Sequence, residues 1–535
     1  MTFRSRHFHP APRTLHAVLL LLTLVAGSAA AQSRDWSPDD RAVVGDYTEI
    51  RAVAASTERI FVITRNAVLV RSTLDRRWEG PYLPRDPGLL YDVVSAIADP
   101  LDQSVWLIRR SGYVHFDPVT RQFSPGLVPG SVTDAAIDRN APASGLFLRS
   151  NGQWYQASRG GAALPSPAPQ APERPATVQE AIRDNPAIQA NIAGLLVTSR
   201  LRPISYTSAA RLTGFGGQGW ILGTNTAGVV AFPLGSGFPE PIRYGLPNDL
   251  AMAVTVSNNQ VWVVNGRTAG SDAAVSRMTR SLDSVAWFQG GRAIGLPFTS
   301  ARSIVAEGSV LWLATDQGLL QVTPSDQPEI RDYQRELPDI PVLDLAAQGD
   351  RIGIGLAHGV ALQDGERGLR RYAMNFAEPA AAVLPGGGDT LWIGTRVGLW
   401  FADSSMADVR RPSGYGDAPS QQDPVLDLAW RGDTLVALTA SRLIWRDPAS
   451  GSFTLGPSLG GNIGRLFRIV SGKEALYIAG TRGIGLIRLG GPILRSFRAP
   501  GDIPGEVTDL AVDKDYLWVA SQGGLVRFRL DAIGR

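Results

Sequence analysis

An all-β fold built from repeated four-stranded antiparallel sheets is what this sequence predicts, and three observations predict it. First, a nine-residue phrase recurs, from Leu311 through Trp312 to Leu319, from Leu391 through Trp392 to Leu399, and from Leu517 through Trp518 to Leu525. Its outline is Leu-Trp, an aliphatic residue, a small residue, Thr or Ser, two turn residues, Gly and Leu. Second, looser copies align on the Trp slot at Phe61, Trp106, Phe147, Trp220, Trp262, Trp312, Gly353, Trp392, Val436, Tyr477 and Trp518, and nine of the ten steps between neighbours lie between 39 and 50 residues. Third, 58 Gly and 37 Pro punctuate the 535 residues, as many tight turns between short strands require. Self-similarity at such a period marks an array of supersecondary units, none of which can bury both faces of its sheet alone.

The elements follow in chain order. Residues 1–31 hold Arg4, Arg6 and Arg13 but no acid, then an apolar run from Ala17 to Ala26 and Ala29-Ala30-Ala31 before Gln32. This is the pattern of a secretory signal with an A-x-A cleavage site, and ten apolar residues fall short of the roughly 20 needed to span a bilayer. Cleavage would remove three Arg from a chain of 52 basic and 49 acidic residues, leaving 49 of each. The formal +3 therefore belongs to the leader, and no polyanion field for nucleic acid remains. With no later transmembrane segment in the sequence, the mature protein is expected in the periplasm or outside the cell.

Each unit has one grammar. In the last, Val507 to Val512 is a period-2 run, Asp513 to Asp515 a turn, Tyr516 to Ala520 a second run, Gln522-Gly523-Gly524 a tight turn, and Leu525 to Leu530 a third run. Elsewhere a fourth run closes the unit, as in Glu329 to Tyr333, followed by loops such as Gly245-Leu246-Pro247 and Gly295-Leu296-Pro297. Four short strands in roughly 40–45 residues is the pattern of a β-propeller blade, and the chain reads as about eleven of them. Blades 1–3 with a closing strand are expected in 32–163, and blades 4–11 in 201–535. The last unit lacks a fourth strand; the stretch Arg34 to Asp40, leading into Tyr47 to Ala54, is the candidate to complete it. Without cysteine, such a non-covalent closure is the available staple. Rings usually have four to eight blades. Eleven make one unusually wide ring or two rings, and the single split blade points to one.

The 73-residue step between Phe147 and Trp220 marks an insertion over 164–200. Pro165, Pro167, Pro169, Pro172 and Pro175 form an extended tether; Thr177-Val178-Gln179-Glu180 is a capping box that starts a helix, and Asn185-Pro186 restarts one. Ile182, Ile188, Ile192 and Leu196 need an apolar surface. That surface is the chain's own propeller, making the insertion a flap, or else a channel or partner, making it a lid or docking element.

The Leu-Trp phrase and the Gly-Leu-Pro loops resemble the repeats of the two-component-regulator propeller family, which form periplasmic sensor regions of hybrid histidine kinases. The resemblance covers nearly all of 34–531 and implies a ligand-sensing or docking propeller. No kinase region accompanies the repeats, so signalling within one chain is not expected.

Chemistry is sparse. Zero Cys excludes thiol nucleophiles, disulfides and Cys-ligated zinc. Beyond the leader only His115 and His358 remain, in different blades, which excludes multi-His metal sites and argues against a Ser-His-Asp centre. His358, in a turn between second and third strands, is the first candidate for a reactive group. Asp99-Pro100-Leu101-Asp102 reads as an ordinary turn with a lesser possibility of assisting a calcium ion, and Gly386 to Asp389 as a hairpin turn. Arg65, Arg110, Arg396 and Arg482 occupy the turn between second and third strands, where a partial ring of guanidinium groups would suit an anion. The expectation is a non-catalytic exported propeller, without cofactor or metal, that binds a partner protein or glycan on one face. The alternative is a carbohydrate-active hydrolase or lyase using carboxylates at a channel mouth.

Overall fold

The recurrent phrase folds as one hairpin, and its residue types are dictated by that geometry. In the computed structural model Thr315 Oγ1 donates to the carbonyl of Gly318 at 2.7 Å, Thr395 Oγ1 to Gly398 at 2.9 Å and Ser521 Oγ to Gly524 at 2.8 Å, so the hydroxyl ties the turn between second and third strands. The Gly that follows sits at φ 122°, 104° and 116° in the three copies, a region that side chains avoid. The structure describes residues 36–533 apart from 38, 160, 194–203, 214–217, 236–237, 292–293, 326–328, 339–340, 366–367, 373–377, 388–389, 404–408, 417–418, 460–462 and 489–492. The leader expected over 1–31 lies outside the described residues. Residues 37–535 form one unit.

Among the described residues eleven antiparallel blade sheets of four or five strands follow one another as the spacing predicts, besides one two-stranded ribbon, and every residue of the Trp slot lies on the second strand of its sheet. The slot is buried throughout where it carries a large side chain. Where it is Gly353, a Cβ would lie 2.8 Å from Leu391 Cδ1, so the next blade fills the space. The first strands, innermost in each blade, are Ile50–Ala55, Val93–Ala98, Val132–Asp138, Tyr206–Leu212, Ala251–Ser257, Ala301–Glu307, Val342–Gln348, Ala382–Pro385, Val425–Arg431, Leu466–Ser471 and Val507–Val512 for blades 1 to 11.

The closing strand is present, but it is Arg41–Val44, a few residues beyond the predicted stretch. It pairs antiparallel with Gly524–Arg529, from Arg41 opposite Phe528 to Val44 opposite Leu525. Ala42, Val43 and Val44 are the buried residues of this strand.

The expectation of a single ring gives way to its alternative. Thr508 Oγ1 of blade 11 donates to the carbonyl of Ala251, the first residue of blade 5, at 2.6 Å. Thr207 Oγ1 of blade 4 makes the same bond to Ile50, the first residue of blade 1, at 2.8 Å. The small residue just before the turn Thr tells the same story: a Cβ on Gly394 of blade 8 would meet Val425 of blade 9 at 2.7 Å, but one on Gly223 of blade 4 would meet Ile50 of blade 1 at 2.5 Å. Blades 5 to 11 therefore contact one another in a cycle of seven, and blades 4, 1, 2 and 3 form a second set. Which sheets neighbour is decided by these small-residue contacts, which the repeat phrase alone does not encode. The two sets share one hydrophobic core containing Trp78, Tyr244, Leu282 and Val285. There Tyr244 Oη lies 2.9 Å from the carbonyl of Gly80 in blade 1 and 3.2 Å from that of Leu282 in blade 5, joining the sets.

The Thr177 capping box is present in both directions; helices α1 (Val178–Asp184) and α2 (Pro186–Ala193) follow. The insertion begins later than expected, because Leu164–Ser166 completes blade 3 as its outer strand. Pro172–Glu173 then adds to the inner edge of blade 3, and α1 packs on the inner strand of blade 4, so the insertion bridges those two blades.

Candidate functional site

One slot on the innermost strands governs both axes. In ten of the eleven blades the pairing of first and second strands slips by one residue at a bulge, and the residue at the slip is Ala52, Ser95, Asp134, Ser208, Ala253, Ser303, Asp344, Asp427, Arg468 or Asp509.

In the seven-blade set the slot is filled by a buried knot. Arg468 Nε donates to Asp509 at 2.7 Å, its Nη1 to Asp344 at 3.1 Å and its Nη2 to Ser303 Oγ at 3.2 Å, with Asp427 3.8 Å away. The second oxygens of the carboxylates reach the neighbouring blade: Asp509 accepts from the Val254 N–H at 2.9 Å, Asp344 from Val383 at 3.0 Å and Asp427 from Ile469 at 2.7 Å. Ser303 Oγ lies 3.1 Å from the Leu345 carbonyl. One network thus touches all seven blades. Burial raises the pKa of all three carboxyls, that of Asp427 to about 7, although Arg468 opposes the shift. Burial also works against the charge of Arg468, but three carboxylates outweigh it and its pKa lies well above the ordinary value. Sequence reading missed this knot, yet a signal exists. Val-x-Asp-Leu-Ala recurs at 342–346, 425–429 and 507–511, and Arg468 holds the same slot in blade 10.

In the four-blade set the slot stays open. A cavity of about 540 Å³ lies between the inner strands of blades 2, 3 and 4 and the start of the insertion. Ser95, Asp134 and Ser208 line it with Tyr206, and Arg174 arrives from the tether. Arg174 grips Asp134 with both arms, at 3.0 Å from Nε and 2.9 Å from Nη2, and holds its carboxyl below the usual range. Tyr206 Oη and Ser208 Oγ are buried and have no hydrogen-bond partner among the described residues. The volume is that of a small-molecule site, and the lining combines hydroxyls, one ion pair and the apolar Val94, Ile108, Val132 and Val178.

A third cluster joins Asp99, Asp102 and His115, whose ligand atoms lie within 4.8 Å of one another. Arg159 already engages both carboxylates, 2.9 Å from Asp99 and 3.1 Å from Asp102. Ser104 Oγ bridges Asp102 at 2.6 Å and His115 Nε2 at 2.7 Å. With the hydroxyl donating to Asp102, His115 donates to Ser104, the reverse of what activating a Ser nucleophile requires. Burial lowers the His115 pKa and the ring packs tilted against Trp106, 4.4 Å between centroids, as in a core residue. Asp99 to Asp102 form the turn that the sequence suggests, with Asp99 accepting from the Leu101 N–H.

The predicted arginines are all at exposed turns but do not gather at one mouth. Arg65 and Arg110 belong to blades 1 and 2, whereas His358, Arg396 and Arg482 belong to blades 7, 8 and 10, so the two axes divide them. Arg65 lies over the ring of Tyr91 at 4.6 Å. Of the insertion's apolar residues, Ile188 is fully buried and Ile182 partly buried against Trp220, Leu222 and Phe232 of blade 4. Ile192 lies on α2, and Leu196 lies outside the described residues.

No protein-family model and no curated protein matches the chain. Solved structures do resemble it. PorZ, an essential surface component of the type-IX secretion system of Porphyromonas gingivalis, aligns at 12% identity over 90% of this chain and 69% of its own, with a TM-score of 0.44. An inactive variant of virginiamycin B lyase from Staphylococcus aureus with quinupristin aligns at 13% over 53% of this chain and 97% of its own, with a TM-score of 0.43. The extracellular domain of a putative hybrid two-component system of B. thetaiotaomicron aligns at 12% over 90% and 69%, with a TM-score of 0.38. Among the described residues, no helix is long and apolar enough to cross a membrane.

Proposed function

We propose that the chain is an exported, non-catalytic binding propeller, a scaffold or sensor component that engages a partner protein or glycan through its four-blade set. The observation carrying this reading is the contrast between the axes. The seven-blade axis is occupied by Arg468 and three carboxylates, whereas the equivalent slot of the four-blade set faces a polar cavity with two unsatisfied hydroxyls. Unsatisfied buried hydroxyls are costly, and a ligand that bonds them recovers that cost. Export is supported by the leader pattern in 1–31.

The alternative, glycoside cleavage by paired carboxylates, is less well supported. Asp344, Asp427 and Asp509, which converge on Arg468, are buried and already bonded to it or to backbone N–H groups, so these three are not placed to protonate a leaving group. The test is retention of envelope proteins and soluble glycans by the immobilised mature protein, with Val94→Trp to fill the cavity from a half-exposed position. Retention that disappears in Val94→Trp without product formation is the expected result. Retention indifferent to Val94→Trp, or glycan cleavage, would overturn the reading.

A further inference from the structure

We propose that the four-blade cavity takes a zwitterionic amino acid or short peptide, its free carboxylate on Arg174 and its free ammonium on Asp134; this rests on the binding reading above and names the ligand class of that site. The geometry starts from the ion pair. Asp134 belongs to an inner strand and Arg174 to the tether, and their side chains keep 25% and 54% of their surface exposed. The pair therefore stands at the rim of the cavity, where an entering ligand meets it first. A guanidinium presents a planar fork that matches a carboxylate, and a carboxylate accepts an ammonium. A zwitterion inserted between them exchanges one ion pair for two. A neutral ligand has no such gain, and a simple anion meets a carboxylate beside the guanidinium.

The remaining lining fits the same ligand. Tyr206 Oη and Ser208 Oγ carry buried hydroxyls without partners, and burial pushes the Tyr206 pKa to about 12, so its hydroxyl keeps its proton as a donor to a peptide carbonyl or carboxylate. Val94, Ile108, Val132 and Val178 offer an apolar wall for the ligand's side chain. At about 540 Å³ the cavity has room for two or three residues. The insertion explains why the site exists: it delivers Arg174 and covers the opening between blades 3 and 4.

The experiment is isothermal titration of the mature protein with L-leucine, Leu-Leu and Ala-Ala-Ala, each also N-acetylated and C-amidated. Saturable binding of a free form, weakened at least tenfold by blocking either terminus, is expected. Arg174→Gln and Asp134→Asn should each weaken it at least tenfold, and Tyr206→Phe at least threefold. The blocked peptides test the wild-type protein, so the outcome does not depend on how a variant folds. No binding by any of the three, or equal binding of blocked forms, overturns the proposal. Binding of cellobiose or chitobiose instead, abolished in Val94→Trp, overturns the zwitterion class while leaving the binding-propeller reading intact.

Discussion

Replacing Arg468 by Met removes the one cation among three buried carboxylates while keeping most of the side-chain volume. The loss can be worked from the contacts. Arg468 donates to Asp509, Asp344 and Ser303, and all three carboxylates are buried, Asp509 keeping 1% of its side-chain surface. Breaking a buried ion pair by removing one partner costs about 3–5 kcal/mol, because the remaining charge is left uncompensated. Protonation limits that cost, which makes the pH dependence the sharper test. The carboxyls of Asp344, Asp427 and Asp509 are raised in the folded chain, Asp427 to about 7. A raised carboxyl binds its proton more tightly folded than unfolded. Its stabilising contribution is complete below about pH 4, the unfolded value, and is lost as pH climbs through the folded value. Without Arg468 only the backbone N–H bonds oppose desolvation, the folded values rise further, and the loss extends to higher pH. The gap between wild type and Arg468→Met should therefore be near its full size at pH 8 and smaller at pH 5. Urea unfolding followed by tryptophan fluorescence measures it, since Trp262, Trp312, Trp392 and Trp518 all lie in the seven-blade set. A gap below about 1 kcal/mol at pH 8, or a wider gap at pH 5 than at pH 8, would refute the reasoning.

Two further perturbations test the architecture. Gly223→Ala places a methyl 2.5 Å from Ile50 Cγ2, an overpacking expected to cost about 1–3 kcal/mol by thermal or urea unfolding; an unchanged midpoint would mean that blade 4 does not rest on blade 1. Removing residues 37–44 strips the fourth strand from blade 11 and exposes the edge of Gly524–Arg529; burial of Val43 and Val44 alone is worth about 3–6 kcal/mol, so the truncated chain should melt lower or aggregate, and a synthetic 37–46 peptide should restore it.

What the sequence discloses depends on whether a residue's job is local. The Trp slot and the Thr-x-x-Gly turn act within one hairpin, so their spacing alone located the second strand of every blade, from Phe61 to Trp518. The capping box at Thr177 is equally local, and both its bonds are present. Ring membership is not local. Blade 4 rests on blade 1 through Gly223 and Ile50, more than 170 positions apart, and a small residue in that slot is equally compatible with the next blade in sequence. The single split blade misled for a related reason: the four-blade set is bridged between blades 3 and 4 by the helical insertion, which leaves no strand exchange to see. The cavity was illegible because Asp134 and Arg174 come from different elements 40 residues apart, and only the fold makes them partners.

The common slot explains why one axis is structural and the other suited to binding. In the seven-blade set the slot itself supplies both charges, Arg468 and its three aspartates, so the network joins every blade and the Arg468 side chain keeps only 18% of its surface. In the four-blade set the slot supplies Asp134, Ser95 and Ser208 but no cation; Arg174 is delivered by the insertion and keeps 54%. A buried cation among carboxylates from three blades cannot be exchanged without opening the cycle, whereas one on a tether can be released by a competing ligand at small cost, because an exposed ion pair is worth only about 0–1 kcal/mol. The same repeat thus makes a lock where all partners are inner-strand residues and an exchangeable contact where one partner stands on an added segment. The insertion is therefore the element to which ligand recognition should be traced, and the seven-blade set the platform that holds it.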